Sequence, residues 1–130
     1  MILLGMMQER EAVRMNDKTC VGVEVAIDAL VGKWKPIILY HLMENETMRF
    51  NELKRAIPKI TQKMLTSQLR ELEHHKIVHR EVYPQVPPKV EYSLTDYGKK
   101  IIPILKAMQK WGTSHKEYLQ TIKEGESLKN

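Results

Sequence analysis

The chain has a single cysteine, Cys20, and a single phenylalanine, Phe50. One thiol excludes an internal disulfide framework and the four-cysteine zinc modules. One phenylalanine argues against a sheet that reads RNA by stacking bases on aromatic side chains. No apolar run approaches the roughly 18 residues of a membrane span. The stretch from Met1 to Met7 opens apolar, but Gln8, Glu9, Arg10 and Glu11 follow at once without the small residues of a leader cleavage site. The expectation is a cytoplasmic protein with no membrane partner. Enzyme signatures are missing too: GxSxG, HExxH, GxGxxG and GxxxxGKS/T do not occur. Gly32-Lys33 lacks both the upstream glycine and the following hydroxyl of a phosphate loop. No catalytic residue and no cofactor is expected. His74, His75 and His79 suggest a metal only at first sight, because a helix ending near Lys76 separates their faces and no carboxylate–cysteine set completes a shell; no metal is expected.

What is present is a globular composition, 42% hydrophobic and 28% charged over 130 residues, which places the chain outside the disordered class and within one domain. The net charge of +5 is concentrated. Between Arg49 and Arg70 lie Lys54, Arg55, Lys59 and Lys63 with one acid, Glu52, so this stretch alone carries +5 and the remainder sums to zero. Localised positive charge attracts a polyanion, and nucleic acid is the common one.

Apolar spacing divides the chain into elements. Val21 to Val31 has apolar residues at helical intervals and closes at Gly32; Pro36 suits the first turn of a second helix carrying Ile37, Ile38, Leu39, Leu42 and Met43, which the polar stretch Glu44 to Thr47 ends. Phe50 to Ile57 forms a third stripe stopped by Pro58. Thr61 is a good N-cap for a fourth helix with its buried stripe at Leu65, Leu69 and Leu72. Two helices joined by about four residues match a helix-turn-helix. Beyond His75 the period changes to two. Ile77, His79, Glu81 and Tyr83 share one face of a half-buried strand, Pro84, Pro87 and Pro88 make a turn, and Val90, Tyr92 and Leu94 return. This predicts a mainly α fold with a small β-hairpin wing (α+β), a winged helix-turn-helix. Thr95 caps a last helix reaching toward Ile122, with a kink expected near Pro103. Its apolar face is too broad for a small core to cover: Ile104, Leu105, Met108, Trp111, His115 and Leu119 are the expected dimer interface, which makes a homodimer the expected assembly.

At about 100° per residue from Gln62, the leucines of the fourth helix cluster near 300°. The opposite flank, near 120°, receives Arg70, Lys63 and Ser67, with Thr66 at its edge. Arg70 and Lys63 suit guanine N7 and O6, and Thr66 and Ser67 suit a base edge or a thymine methyl. Gln62 starts the segment expected in the major groove. Thr61 and the first-turn N–H groups suit a phosphate. Arg49, Lys54, Arg55 and Lys59 fit backbone neutralisation, and Gln85 and Lys89 on the wing fit phosphate or the adjacent minor groove. The expected partner is double-stranded DNA with two half-sites. Two other readings stay open: an architectural protein that coats DNA without sequence preference, and a winged helix serving as a protein-interaction module.

Several blocks resemble one family, the HxlR-type regulators within the MarR-like winged-helix group. They are Val31-Gly32-Lys33-Trp34-Lys35, Leu39-Tyr40-His41-Leu42, Arg49-Phe50 with Glu52-Leu53, the run from Ile60 to Glu73 (ITQKMLTSQLRELE), the wing from Tyr83 to Gly98 (YPQVPPKVEYSLTDYG) and Trp111-Gly112. The likeness covers about Cys20 to Gly112. It implies a cytoplasmic homodimer on operator DNA, and some members carry an electrophile- or oxidant-responsive cysteine just before the first core helix. Cys20 occupies that place, where a helix N-terminus favours thiolate, opposed by Asp17 and supported by Lys18. With one cysteine per chain, an adduct or mixed disulfide ranks above a two-cysteine switch, and an electrophile or small molecule is the implied effector. The expected organisation is a flexible arm over residues 1–19, the winged-helix domain over 20–112, and the end of the dimerisation helix with a tail over 113–130.

Overall fold

Among the described residues, apolar spacing at three and four residues becomes helix. The computed structural model describes residues 20–30 and 32–129, so the expected arm, Asp17, Lys18 and Val31 lie outside the described residues. In chain order the elements are α1 (Val21–Leu30), α2 (Trp34–Glu44), β1 (Thr47–Arg49), α3 (Phe50–Ala56), α4 (Gln62–His74), β2 (Val78–Tyr83), β3 (Lys89–Leu94), a 3-10 turn (Gly98–Ile101) and α5 (Ile102–Lys129). The chain divides into two units, Met1–Gly32 and Lys33–Asn130. In the first, α1 is amphipathic and none of its side chains is buried. Gly32 ends that unit with φ +93°, a left-handed conformation that side chains disfavour.

The second unit packs one core. Ile38, Leu39 and Leu42 of α2 meet Leu53 of α3 and the α4 leucines Leu65, Leu69 and Leu72, all essentially inaccessible to water. Val78, Tyr92 and Leu94 close the core from the sheet, and Leu105 from α5. The sheet differs from the expected two-stranded hairpin: it has three antiparallel strands in the order β1-β3-β2, with Met48 opposite Tyr92 and Arg80 opposite Tyr92 on the other side. The added strand, β1, is only three residues long, with Met48 alone buried, too short for an alternation to show. The half-buried face expected for β2 is also corrected. Only Val78 of that strand is buried, because β2 is a sheet edge, while the central β3 buries Tyr92 and Leu94.

Helix α4 ends in a Schellman motif: Ile77 N–H donates to Leu72 O and Lys76 N–H to Glu73 O, both at 3.0 Å. Lys76 takes the left-handed position, φ 62°, usually given to glycine. From there Thr95 ties the start of the last helix back to α4. Its hydroxyl donates to Lys76 O at 2.5 Å and accepts from Gly98 N–H at 2.8 Å. Gly98 admits no side chain, since a Cβ would overlap the Ile77 carbonyl oxygen. Thr95 therefore caps the 3-10 turn that leads into α5. Pro103 falls in the first turn of α5, where its missing N–H has no intrahelical partner to lose. The kink expected near Pro103 falls at the point where the 3-10 turn passes into α5. Beyond Ile122 the helix continues to Lys129.

Candidate nucleic-acid interface

The turn between α3 and α4 is closed by short backbone bonds, Ile57 N–H to Leu53 O and Ile60 N–H to Ile57 O, both 3.1 Å, with Ile57 and Ile60 buried beneath it. Thr61 then caps α4, its Oγ1 accepting from Met64 N–H at 3.1 Å. The N–H groups of Gln62 and Lys63 keep no intrahelical acceptor and point out of the helix start, an arrangement suited to a phosphate. At the other end of the motif, Glu52 accepts the Arg49 N–H at 3.0 Å. The one acid of the basic stretch is thus engaged in starting α3.

Because Leu65, Leu69 and Leu72 point inward, α4 turns Gln62, Lys63, Ser67 and Arg70 to solvent. Thr66 is half-buried and its hydroxyl donates to Gln62 O at 2.8 Å, leaving the oxygen lone pairs and the methyl for a ligand. Among the described residues neither Lys63 nor Arg70 forms an ion pair. Arg55 and Lys59 are exposed on α3 and the turn, Lys54 is half-buried, and Arg49 is exposed at the end of β1.

The wing divides differently from the sequence expectation. Gln85 is exposed at the tip, whereas Lys89 is committed within the sheet, 2.8 Å from Glu91 Oε1 and 4.9 Å from the centre of the Tyr83 ring. The residue missed by sequence reasoning is Arg80. It shares an open groove of about 440 Å3 with Gln62, Thr66 and Arg70 on α4 and Val90 and Tyr92 on β3. The alternation of β2 held the signal, since it sets Arg80 on the face opposite His79 and Glu81. Two guanidinium groups, an amide, the hydroxyls of Thr66 and Tyr92 and one carboxylate, Glu73, therefore line one channel between the helix and the wing. The two guanidinium groups can donate to phosphate or base-edge acceptors, while the Glu73 carboxylate can accept from a base amino group and disfavours a phosphate beside it.

The other expected residues lie elsewhere. Cys20 is exposed immediately before α1, its carbonyl accepting Glu24 N–H at 2.9 Å. On α5, Ile104, Met108, Trp111 and Leu119 are exposed, and His115 stacks on Trp111 with ring centres 4.7 Å apart. Leu105, expected at the interface, is only 2% exposed and belongs to the subunit's own core. His79 pairs with Glu81 at 2.7 Å, and His74 and His75 lie against each other at the end of α4.

Comparison with known proteins agrees with this geometry. Residues 29–120 match the family model described as HxlR-like helix-turn-helix. The chain is 48% identical over 124 residues to the uncharacterized HTH-type transcriptional regulator YybR of Bacillus subtilis (strain 168), covering 95% of this chain and 98% of that one. Among solved structures it is similar to the redox regulator HypR in its reduced form, with a TM-score of 0.72 and 54% identity over 77% of this chain and 98% of that one. It also resembles the reduced form of the transcriptional regulator YodB from B. subtilis, with a TM-score of 0.63 and 40% identity over 72% of this chain and 90% of that one. No described helix is long and apolar enough to cross a membrane. The relatives are transcriptional regulators, and no catalytic family is indicated. With its winged helix-turn-helix and the exposed cationic flank of α4, the chain belongs to the HxlR-like helix-turn-helix family of transcriptional regulators.

Proposed function

We propose that this regulator acts as a cytoplasmic homodimer that binds operator DNA sequence-specifically, each subunit placing Gln62 to Arg70 in a major groove. The observation that carries the reading is the outward flank of α4, where Lys63, Ser67 and Arg70 stand exposed opposite a fully buried leucine stripe. Arg70 and Lys63 supply guanine readout, Ser67 and Thr66 the smaller contacts. Arg49, Lys54, Arg55, Lys59 and the N-terminus of α4 neutralise backbone. The apolar face of α5 joins two subunits and sets half-sites about one helical turn apart, roughly 34–36 Å.

Cys20 is the proposed sensor, supported by its exposure before α1 and by the likeness to a protein described as a redox regulator in reduced and oxidised forms. Its sulfur would add to the activated C=C bond of an electrophile, forming a C–S bond as the π bond breaks, and the thiol proton given up to solvent is replaced by one that the resulting carbanion takes from solvent. A small shift between the two recognition helices would then release both half-sites together.

The test is equilibrium fluorescence anisotropy with the best duplex this protein enriches from a random library, against a scrambled duplex at physiological salt. A specific regulator binds the enriched duplex at least about 10³-fold more tightly. An architectural coat would bind both alike, and a protein-interaction module would bind neither.

A further inference from the structure

Among the described residues Lys35 is the one buried charged side chain, 4% exposed in the first turn of α2. Its ammonium lies 2.5 Å from Glu71 Oε2 on α4. The two partners differ in their need for the pair. An ammonium enclosed by the core requires a counter-charge, whereas the Glu71 side chain is half exposed and water could solvate it alone. Core stability alone does not require a lysine here, since apolar side chains of similar volume commonly replace buried ion pairs without loss.

The position of Glu71 suggests another use. On the α4 wheel it lies at about 180°, between the leucine stripe and the outward flank. It follows Arg70 in sequence and sits one turn beyond Ser67. An unpaired carboxylate there would face the phosphates that border the groove entered by Lys63, Ser67 and Arg70. The Lys35 ammonium also holds the Glu71 carboxyl below its ordinary range, with His75 adding to the effect, so the acid is ionised beside the ammonium.

We propose that Lys35 is a positioning residue for DNA binding: from the buried start of α2 it clamps and neutralises Glu71, keeping the flank of the recognition helix free of uncompensated negative charge. This rests on the DNA-binding reading above.

The experiment uses the full chain and the library-enriched duplex, with anisotropy titrations at low and high salt and thermal melting in parallel. Lys35→Met should weaken binding about tenfold at low salt, with the deficit shrinking as salt screens the exposed acid, and its melting temperature should not fall. Lys35→Arg should retain affinity, and Lys35→Met combined with Glu71→Gln should return it to within about twofold of the unmodified protein. A packing role would give a loss that the second substitution does not repair. Should Lys35→Met itself melt early, the double variant still decides, because only relief of charge restores affinity. Unchanged binding by Lys35→Met, or a double variant as weak as the single, overturns the proposal while leaving the DNA-binding reading intact. If the unmodified protein enriches and retains no duplex, the DNA-binding reading fails, and the role of Lys35 with it.

Discussion

Helix α4 commits one flank to the core through Leu65, Leu69 and Leu72 and turns Lys63, Ser67 and Arg70 outward. Helix α5 is more than twice as long, yet among its described residues only Leu105 is buried, and it turns Ile104, Met108, Trp111, Tyr118, Leu119 and Ile122 to solvent. Both are amphipathic helices on one core, but their free faces have opposite chemistry. A charged, hydroxyl-bearing face loses little in water and gains from a polyanion. An apolar face with Trp111 67% exposed gains only by being covered, at roughly 25 cal/mol for each Å2 removed from water. The contrast is what the proposed function draws on: a cationic flank suited to nucleic acid on one helix and an apolar face suited to protein on the other.

The sharpest way to break this contrast is to put charge on α5. Trp111→Glu should convert the dimer to monomer by sedimentation velocity and lower affinity for the enriched duplex by at least about 100-fold, because the second half-site is no longer delivered at high effective concentration. A variant that stays dimeric would remove α5 from the interface. Next comes Arg70→Ala, with an expected loss of about 1–3 kcal/mol on the enriched duplex and little change on random duplex. Its melting temperature should hold, since the side chain is exposed and outside any ion pair among the described residues. Equal losses on both duplexes would demote Arg70 to a backbone contact.

The ends of α4 give smaller effects. Thr61→Ala removes the acceptor for Met64 N–H and should cost about 1 kcal/mol in chemical denaturation. Lys76→Gly should stabilise by up to about 1 kcal/mol, because glycine takes the positive φ of the Schellman position without strain. A loss of stability there would show that Lys76 contributes a contact worth more than its strain. The least effect is expected from acid. Glu71 titrates below its ordinary value of 4.5 in the folded chain, so its contribution is present at neutral pH and disappears as pH falls through the folded value. Lys35→Met should flatten that limb of the stability curve.

The same contrast explains how much was legible beforehand. The leucines of α4 recur at four and three residues, so their burial and the identity of the opposite flank follow from helical geometry alone. Thr61 was readable because capping is local chemistry. β1 escaped notice because three residues cannot display a period, and its pairing with β3 is a tertiary choice. Arg80 was overlooked because the apolar alternation drew attention to the wrong face of an edge strand that buries only Val78. Lys89 looked available, yet Glu91 two residues on and Tyr83 across the hairpin hold it. Lys35 resembled any helix-surface lysine, since nothing near it in sequence announces a partner on α4. Pro103 depended on where α5 begins, which is set by the bonds of Thr95 and the close approach of Gly98 to Ile77 rather than by periodicity.

Dimethyl sulfate interference on the library-enriched duplex tests the central claim most directly, because N7-methylation of guanine blocks the major-groove edge proposed for Arg70 and Lys63. The account predicts two clusters of interfering guanines, centred about 10 base pairs apart, with Arg70→Ala insensitive to methylation at one guanine in each cluster. Binding that ignores methylated guanines, or a single unpaired cluster, would contradict it.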